Sequence, residues 1–314
     1  MKSLTRRDFA GCLGAMTIAS QVFAKDPKPA KPNSKFAGVQ IGAQSYSYRT
    51  MTLAKAVDGM VAAGINSCEL WAGHVEPRNY TPQDLATEKL RLGDMTASGV
   101  PAADREQVRQ FRLDTSLTHW GRIREMFDRA GVEIYAYNYG FRDDCTDAEL
   151  ERGFMMAKTL GAKCLTASGT ITVARRVDPL AQRHKLRVGW HNHSNPTPNE
   201  YARPEDFAEA QRGKSSYMAI NLDIGHFTAA GYDPVSFISQ HAADILTLHV
   251  KDRKKNQGDN VPFGQGDTPI RQVLQLLRDK KYPIVANIEY EYEGGDAVEA
   301  MKKCVAYCKT ALES

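Results

Sequence analysis

Four short stretches of this sequence place an imidazole or a carboxylate at the end of an apolar run. They are WHNH (190–193), NLDIGH (221–226), LHVKD (248–252) and IEYE (288–291). His191, Asp223, His249 and Glu289 are separated by 32, 26 and 40 residues (191 to 223, 223 to 249, 249 to 289). Each gap is about one strand-plus-helix unit, so neighbouring parallel strands would bring the four side chains to one rim. Two imidazoles and two carboxylates suit a divalent transition ion better than the all-oxygen cage that calcium prefers. The expectation is one divalent ion, drawn from manganese, zinc, cobalt, iron and magnesium.

Such an ion beside a substrate carbonyl would stabilise the enediolate left when the adjacent carbon loses its proton. Glu289 is then the expected base, His226 the group that steadies or protonates the substrate oxygen, and Lys251 the charge that neutralises the enediolate. Gln44 and Tyr46 end the first apolar run, and Glu69, Trp71 and His74 belong to the second. Together with His193 they are candidate substrate contacts, and Tyr46, Trp71 and Tyr137 are candidate walls for a sugar ring. Each residue also has a plain structural reading. A strand histidine can be packed and hydrogen-bonded, Asp223 can cap a helix, and Glu289 can pair with a lysine. The shared position of all four at matching strand ends favours the metal.

The elements that must position them begin near residue 37. Strand-like runs fall at 39–46, 67–73, 133–140, 162–169, 186–192, 218–225, 245–252 and 283–291. Helical patterns lie at 53–64, 106–131, 147–161, 204–213, 234–244, 270–280 and 296–308. Gly64, Gly131 and Gly161 stand between a helical pattern and the next strand, as helix ends prefer. Eight strand–helix alternations predict a closed parallel (β/α)8 TIM barrel. No glycine-rich turn follows the first strand, which argues against a dinucleotide-binding sheet. The pattern at 172–186 is a poor helix because Pro179 interrupts it, and 91–104 reads as an inserted loop or short helix.

The first residues, MKSLTRRDFAGCLGAMTIASQVFA, combine Arg6-Arg7, a weak apolar run and a small-residue cleavage site after Ala24. They read as a twin-arginine signal over 1–24, which predicts export to the periplasm. The run is too short and polar for a stable membrane anchor. A Pro/Lys-rich linker is expected over 25–36 and the barrel over 37–314. Cys68, Cys145, Cys164, Cys304 and Cys308 remain after the signal, an odd number without metal-knuckle spacing, so no disulfide framework is expected. The formal charge of +4 calls for no nucleic-acid partner. A small carbohydrate is the expected partner, and a homodimer is compatible with the reading.

The order WHNH, NLDIGH, LHVKD and IEYE, preceded by IGAQSYSYR (41–49) and CELW (68–71), resembles the xylose isomerase-like barrel superfamily. Within it, the sugar phosphate isomerase/epimerase branch is the more similar, over nearly all of 37–314. The resemblance implies one metal held by His191, Asp223, His249 and Glu289, with His226 handling substrate. Many epimerases of that branch carry glutamate at the position of His191 and use two opposed carboxylate bases. Here only Glu289 of that pair is a carboxylate, and one-base isomerisation or a lyase-type elimination on a 3-keto-glycoside fits at least as well as a symmetrical two-base epimerase. A non-catalytic exported sugar-binding protein is a further alternative. A DNA-repair endonuclease on the same barrel is disfavoured by the modest charge and the export signal.

Overall fold

Residues of alternating character build the barrel wall. In the computed structural model, which describes residues 31–76, 105–292 and 295–314, eight strands run parallel. They are β1 (Val39–Gln44), β2 (Ser67–Trp71), β3 (Glu133–Asn138), β4 (Cys164–Ala167), β5 (Val188–His191), β6 (Met218–Asp223), β7 (Ile245–Val250) and β8 (Val285–Ile288). Each pairs with its sequence neighbours, and β8 pairs with β1, so the sheet closes as the eight-stranded barrel expected. Outward-facing Ile41, Leu70, Leu165, Leu222, Leu248 and Ile288 are fully buried beneath the helical layer. Each such burial contributes about 1.5–3 kcal/mol.

The inward positions are polar, which departs from the branched apolar layers common inside such barrels. Gln44, Asn138, Thr166, Asn221, His249 and Asn287, from six strands, all direct hydrogen-bonding groups at the Glu69 carboxylate on β2. The seventh neighbouring strand, β5, offers Gly189, where a Cβ would come within 3.2 Å of Asn221. A buried carboxylate would be costly alone, and this ring of donors offsets its desolvation.

Helix ends follow the expected punctuation. Gly131 and Gly161 adopt φ of 74° and 76° as left-handed caps, which removes the Cβ penalty of that conformation. Two expectations are corrected. The stretch 106–131 forms two helices, Arg105–Asp114 and Leu117–Ala130, because Ser116 caps the second. Pro179 does not break its segment: the helix Ile171–His184 runs through it. Val173, Ala174, Val177 and Ala181 bury one face of that helix, which outweighs the lost hydrogen bond, a cost of about 3 kcal/mol.

A two-residue strand, Lys35–Phe36, pairs antiparallel with β1 inside the stretch read as linker. The described cysteines are free and buried. The signal reading over 1–24 and the inserted segment at 91–104 lie outside the described residues. Among those residues, no helix is long and apolar enough to cross a membrane.

Candidate active site

At the C-terminal rim, the ends of β5, β6, β7 and β8 converge. One ligand atom each from His191, Asp223, His249 and Glu289 lies within 4.8 Å of the others, and all four residues are buried. The atoms concerned, His191 Nε2, Asp223 Oδ2, His249 Nδ1 and Glu289 Oε2, make no well-formed hydrogen bond among the described residues; their close contacts are charged ones with one another and with Lys251. Buried polar atoms are rarely left so, and four of mixed nitrogen and oxygen character facing one point match a transition-ion site. The donor set therefore fits a divalent cation.

The other ends of these side chains are fixed. Asp223 Oδ1 accepts the backbone N–H of His226 at 2.7 Å, capping the helix Ile224–Ala229, while Oδ2 faces the cluster. The capping and ligand readings are thus two oxygens of one carboxylate. Asn192 holds the Asp223 backbone through both its N–H, at 2.9 Å, and its carbonyl, at 3.2 Å. Ser168 Oγ lies 3.3 Å from His191 Nδ1, leaving Nε2 for the cluster. His249 Nε2 lies 2.9 Å from Glu69 Oε1, and its Nδ1 lies 3.0 Å from Glu289 Oε2. Burial works against a charged His249, but the Glu69 and Glu289 carboxylates outweigh it and push the ring well above its ordinary pKa.

Lys251 is buried beside this group. Its ammonium lies 3.1 Å from Asp223 Oδ2 and 2.8 Å from Glu289 Oε2, and it also pairs with Glu291. Desolvation opposes that charge, but the carboxylates raise its pKa above the usual lysine value. The same contacts, with His249 beside Glu289 and His226 beside Asp223, overcome burial and hold both carboxyls well below their normal range. Asp223, Glu289 and Lys251 are therefore ionised at neutral pH. Gly225 makes the packing feasible, since a Cβ there would meet Lys251 Cγ at 2.3 Å.

His226 is oriented by a residue that the sequence does not single out. Arg253 Nη1 lies 2.6 Å from His226 Nδ1. A guanidinium only donates, so Nδ1 accepts from it, while Nε2 lies 3.3 Å from the Lys251 ammonium. Arg253 is itself held by the Gly258 carbonyl at 2.7 and 3.1 Å and by Ser194 Oγ at 3.0 Å. Asp252, next to it, accepts from the N–H groups of Gly264, Gly266 and Thr268 and so anchors the following loop.

The cluster opens into a cavity of about 350 Å³ lined by Gln44, Tyr46, Trp71, His193, His226 and Lys251, among others. Tyr46 packs edge-on against Trp71, with ring centroids 4.8 Å apart. Three expected contacts are placed elsewhere. Glu69 lies beneath the floor, fully buried in its ring of donors. His74 is also fully buried, with ring nitrogens 3.0 Å from Ser45 Oγ and 3.2 Å from the Tyr48 carbonyl. Tyr137 faces outward on β3 and packs against Trp120 at 5.8 Å between ring centroids. Its neighbour Asn138 faces in and lines the cavity, as do Ser168 and Glu291. Strand alternation is the signal that separates Asn138 from Tyr137.

Comparison with known proteins places this geometry in context. Residues 95–310 match the family described as Xylose isomerase-like TIM barrel. No curated protein matches the chain. Similar solved structures include a sugar phosphate isomerase/epimerase from Parabacteroides distasonis, 16% identical, covering 86% of this chain and 95% of that one, with a TM-score of 0.58. The IOLI protein with a bound zinc atom is 16% identical over 87% of this chain and 97% of its own, with a TM-score of 0.61. The 3-keto-D-glucoside 4-epimerase of E. coli is 11% identical over 87% and 99% of the two chains, with a TM-score of 0.60. At these identities the likeness to solved structures is one of fold. The family match covers most of the chain, and the chain belongs to the xylose isomerase-like TIM-barrel family.

Proposed function

We propose that this member of the xylose isomerase-like TIM-barrel family is a divalent-metal-dependent sugar isomerase or epimerase that moves a proton next to a carbonyl. The observation that carries the reading is the set of four buried ligand atoms of His191, Asp223, His249 and Glu289, converging within 4.8 Å of one another beside a cavity walled by Tyr46 and Trp71. When bound there, a divalent cation supplies a Lewis acid that lowers the cost of charge on a substrate oxygen.

The chain's own groups divide the remaining work. Glu289 accepts the proton from the carbon beside the carbonyl. Lys251 and His249 hold that carboxylate ionised and weakly basic, so the rate depends on stabilising the negative charge that develops on the substrate. Lys251 places an ammonium beside Glu289 and Asp223, where it offsets that charge. His226, oriented through Nδ1 by Arg253, presents Nε2 to the cavity beside the Lys251 ammonium, where the two together face a substrate oxygen. Tyr46 and Trp71 offer apolar faces to a sugar ring.

A second reading, β-elimination on a 3-keto-glycoside, is favoured by one observation. Of the two outer strands of the cluster, β8 is followed by a carboxylate, Glu289, whereas β5 ends in an imidazole, His191. A single carboxylate base with a protonated donor, Lys251, nearby suits removal of a proton followed by loss of a leaving group. The twin-arginine reading makes the protein periplasmic, with a small carbohydrate as its partner.

Incubating metal-loaded enzyme with keto-sugars and 3-keto-glycosides in deuterated water tests the proposal. Deuterium entering an α-carbon, and its loss in Glu289→Gln, are expected. Near-wild-type incorporation in that variant would remove Glu289 as the base.

A further inference from the structure

A second cavity, of about 410 Å³, adjoins the first and shares Ser168 and His193 with it. It is formed by segments that follow β3, β4 and β5, so it lies on the same rim of the barrel. Phe141 and Gly169 contribute to its lining, and Gly169 leaves the space open. A Cβ at 169 would come within 2.8 Å of the Trp190 ring and 3.0 Å of the Phe141 carbonyl. Asp143 and Glu200 supply carboxylates to it.

These carboxylates differ in how far they are committed. Asp144 is taken by Arg105 and Arg142, at 3.0 and 3.2 Å. Asp143 Oδ1 accepts only from Thr170 Oγ1, at 2.7 Å, and the Glu200 carboxylate has no partner among the described residues. Arg142, the lining cation, is already paired with Asp144. Acceptors of this kind bind hydroxyl groups and repel phosphate.

The first cavity is near the lower end of the usual size for a small-ligand site, and the second roughly doubles the space available. From this continuity we infer that the substrate is a neutral glycoside or disaccharide. The reacting ring lies at the Asp223–Glu289 cluster, and the second ring lies beyond Ser168 and His193 against Asp143 and Glu200. The inference rests on the sugar-enzyme reading above, and it assigns specificity to residues outside the reacting centre.

Titration calorimetry on metal-loaded protein tests it with glucose, glucose 6-phosphate and glucosyl-glucose disaccharides of differing linkage. At least one disaccharide should bind about tenfold tighter than glucose. Glu200→Gln and Asp143→Asn should each reduce that preference at least threefold, lowering disaccharide affinity more than glucose affinity. If no disaccharide exceeds glucose, or if the preference survives both substitutions, the subsite is overturned while the first cavity stands as a sugar site. Tighter binding of glucose 6-phosphate than of every disaccharide also overturns it. If none of these sugars binds and no keto-sugar or 3-keto-glycoside takes up deuterium, the sugar-enzyme reading fails and the subsite fails with it.

Discussion

The carboxylate of Glu69 and the Nε2 atom of His249, 180 residues apart in sequence, meet at 2.9 Å inside the barrel. This contact turns His249 so that Nδ1 faces Asp223 and Glu289 at the rim. The polar floor and the candidate metal centre are therefore one connected structure, with His249 as the link.

Carboxylates behind a ligand histidine typically alter metal affinity 10–100-fold. Glu69→Gln should weaken cation binding by about that factor while leaving the stoichiometry at one per chain. Competition with a chromogenic chelator measures both quantities. Unchanged affinity in the variant would mean that Glu69 supports the barrel but not the site.

Arg253 orients the His226 ring through Nδ1 from outside the cavity wall. Arg253→Met keeps the length of the side chain but removes the donor, so the His226 ring loses its fixed orientation. Turnover should fall about 10–100-fold, in kcat more than in KM, with cation affinity retained. A fall confined to KM would assign Arg253 to substrate binding instead.

Acid stability provides a test remote from the site. Burial pushes the pKa of His74 down to about 4, and burial with the nearby Arg122 does the same for His119. In the unfolded chain both return to about 6.5. Between these values the unfolded chain binds more protons, so stability falls as pH drops from about 6.5 towards 4. The loss should reach about 1–2 kcal/mol per histidine near pH 5. Denaturant unfolding across this range, compared with His119→Phe, measures the slope. An equal slope in the variant would show that His119 does not contribute.

The barrel is legible in the sequence because strand and helix periods alternate eight times with glycine at the junctions. The cluster is legible because its four members occur at the same end of successive strands. Its surroundings are harder to read. Glu69 and His74 lie near strand ends, but only the closed barrel reveals that both are buried away from the cavity. Tyr137 and Asn138 are adjacent, and the strand's facing decides which one reaches the cavity. Arg253 follows β7 among several charged residues, and its role depends on a loop carbonyl and a serine distant in sequence. Pro179 misleads because local propensity yields to the packing of its helix.

The central claim is that His191, Asp223, His249 and Glu289 hold one divalent cation. Titrating manganese or zinc into chelator-stripped protein, in wild type and in His249→Ala, tests it most directly. One equivalent per chain is expected in the wild type, with loss of that binding in the variant while native circular dichroism is retained. Wild-type stoichiometry and affinity in His249→Ala, or no binding in the wild type, would contradict it.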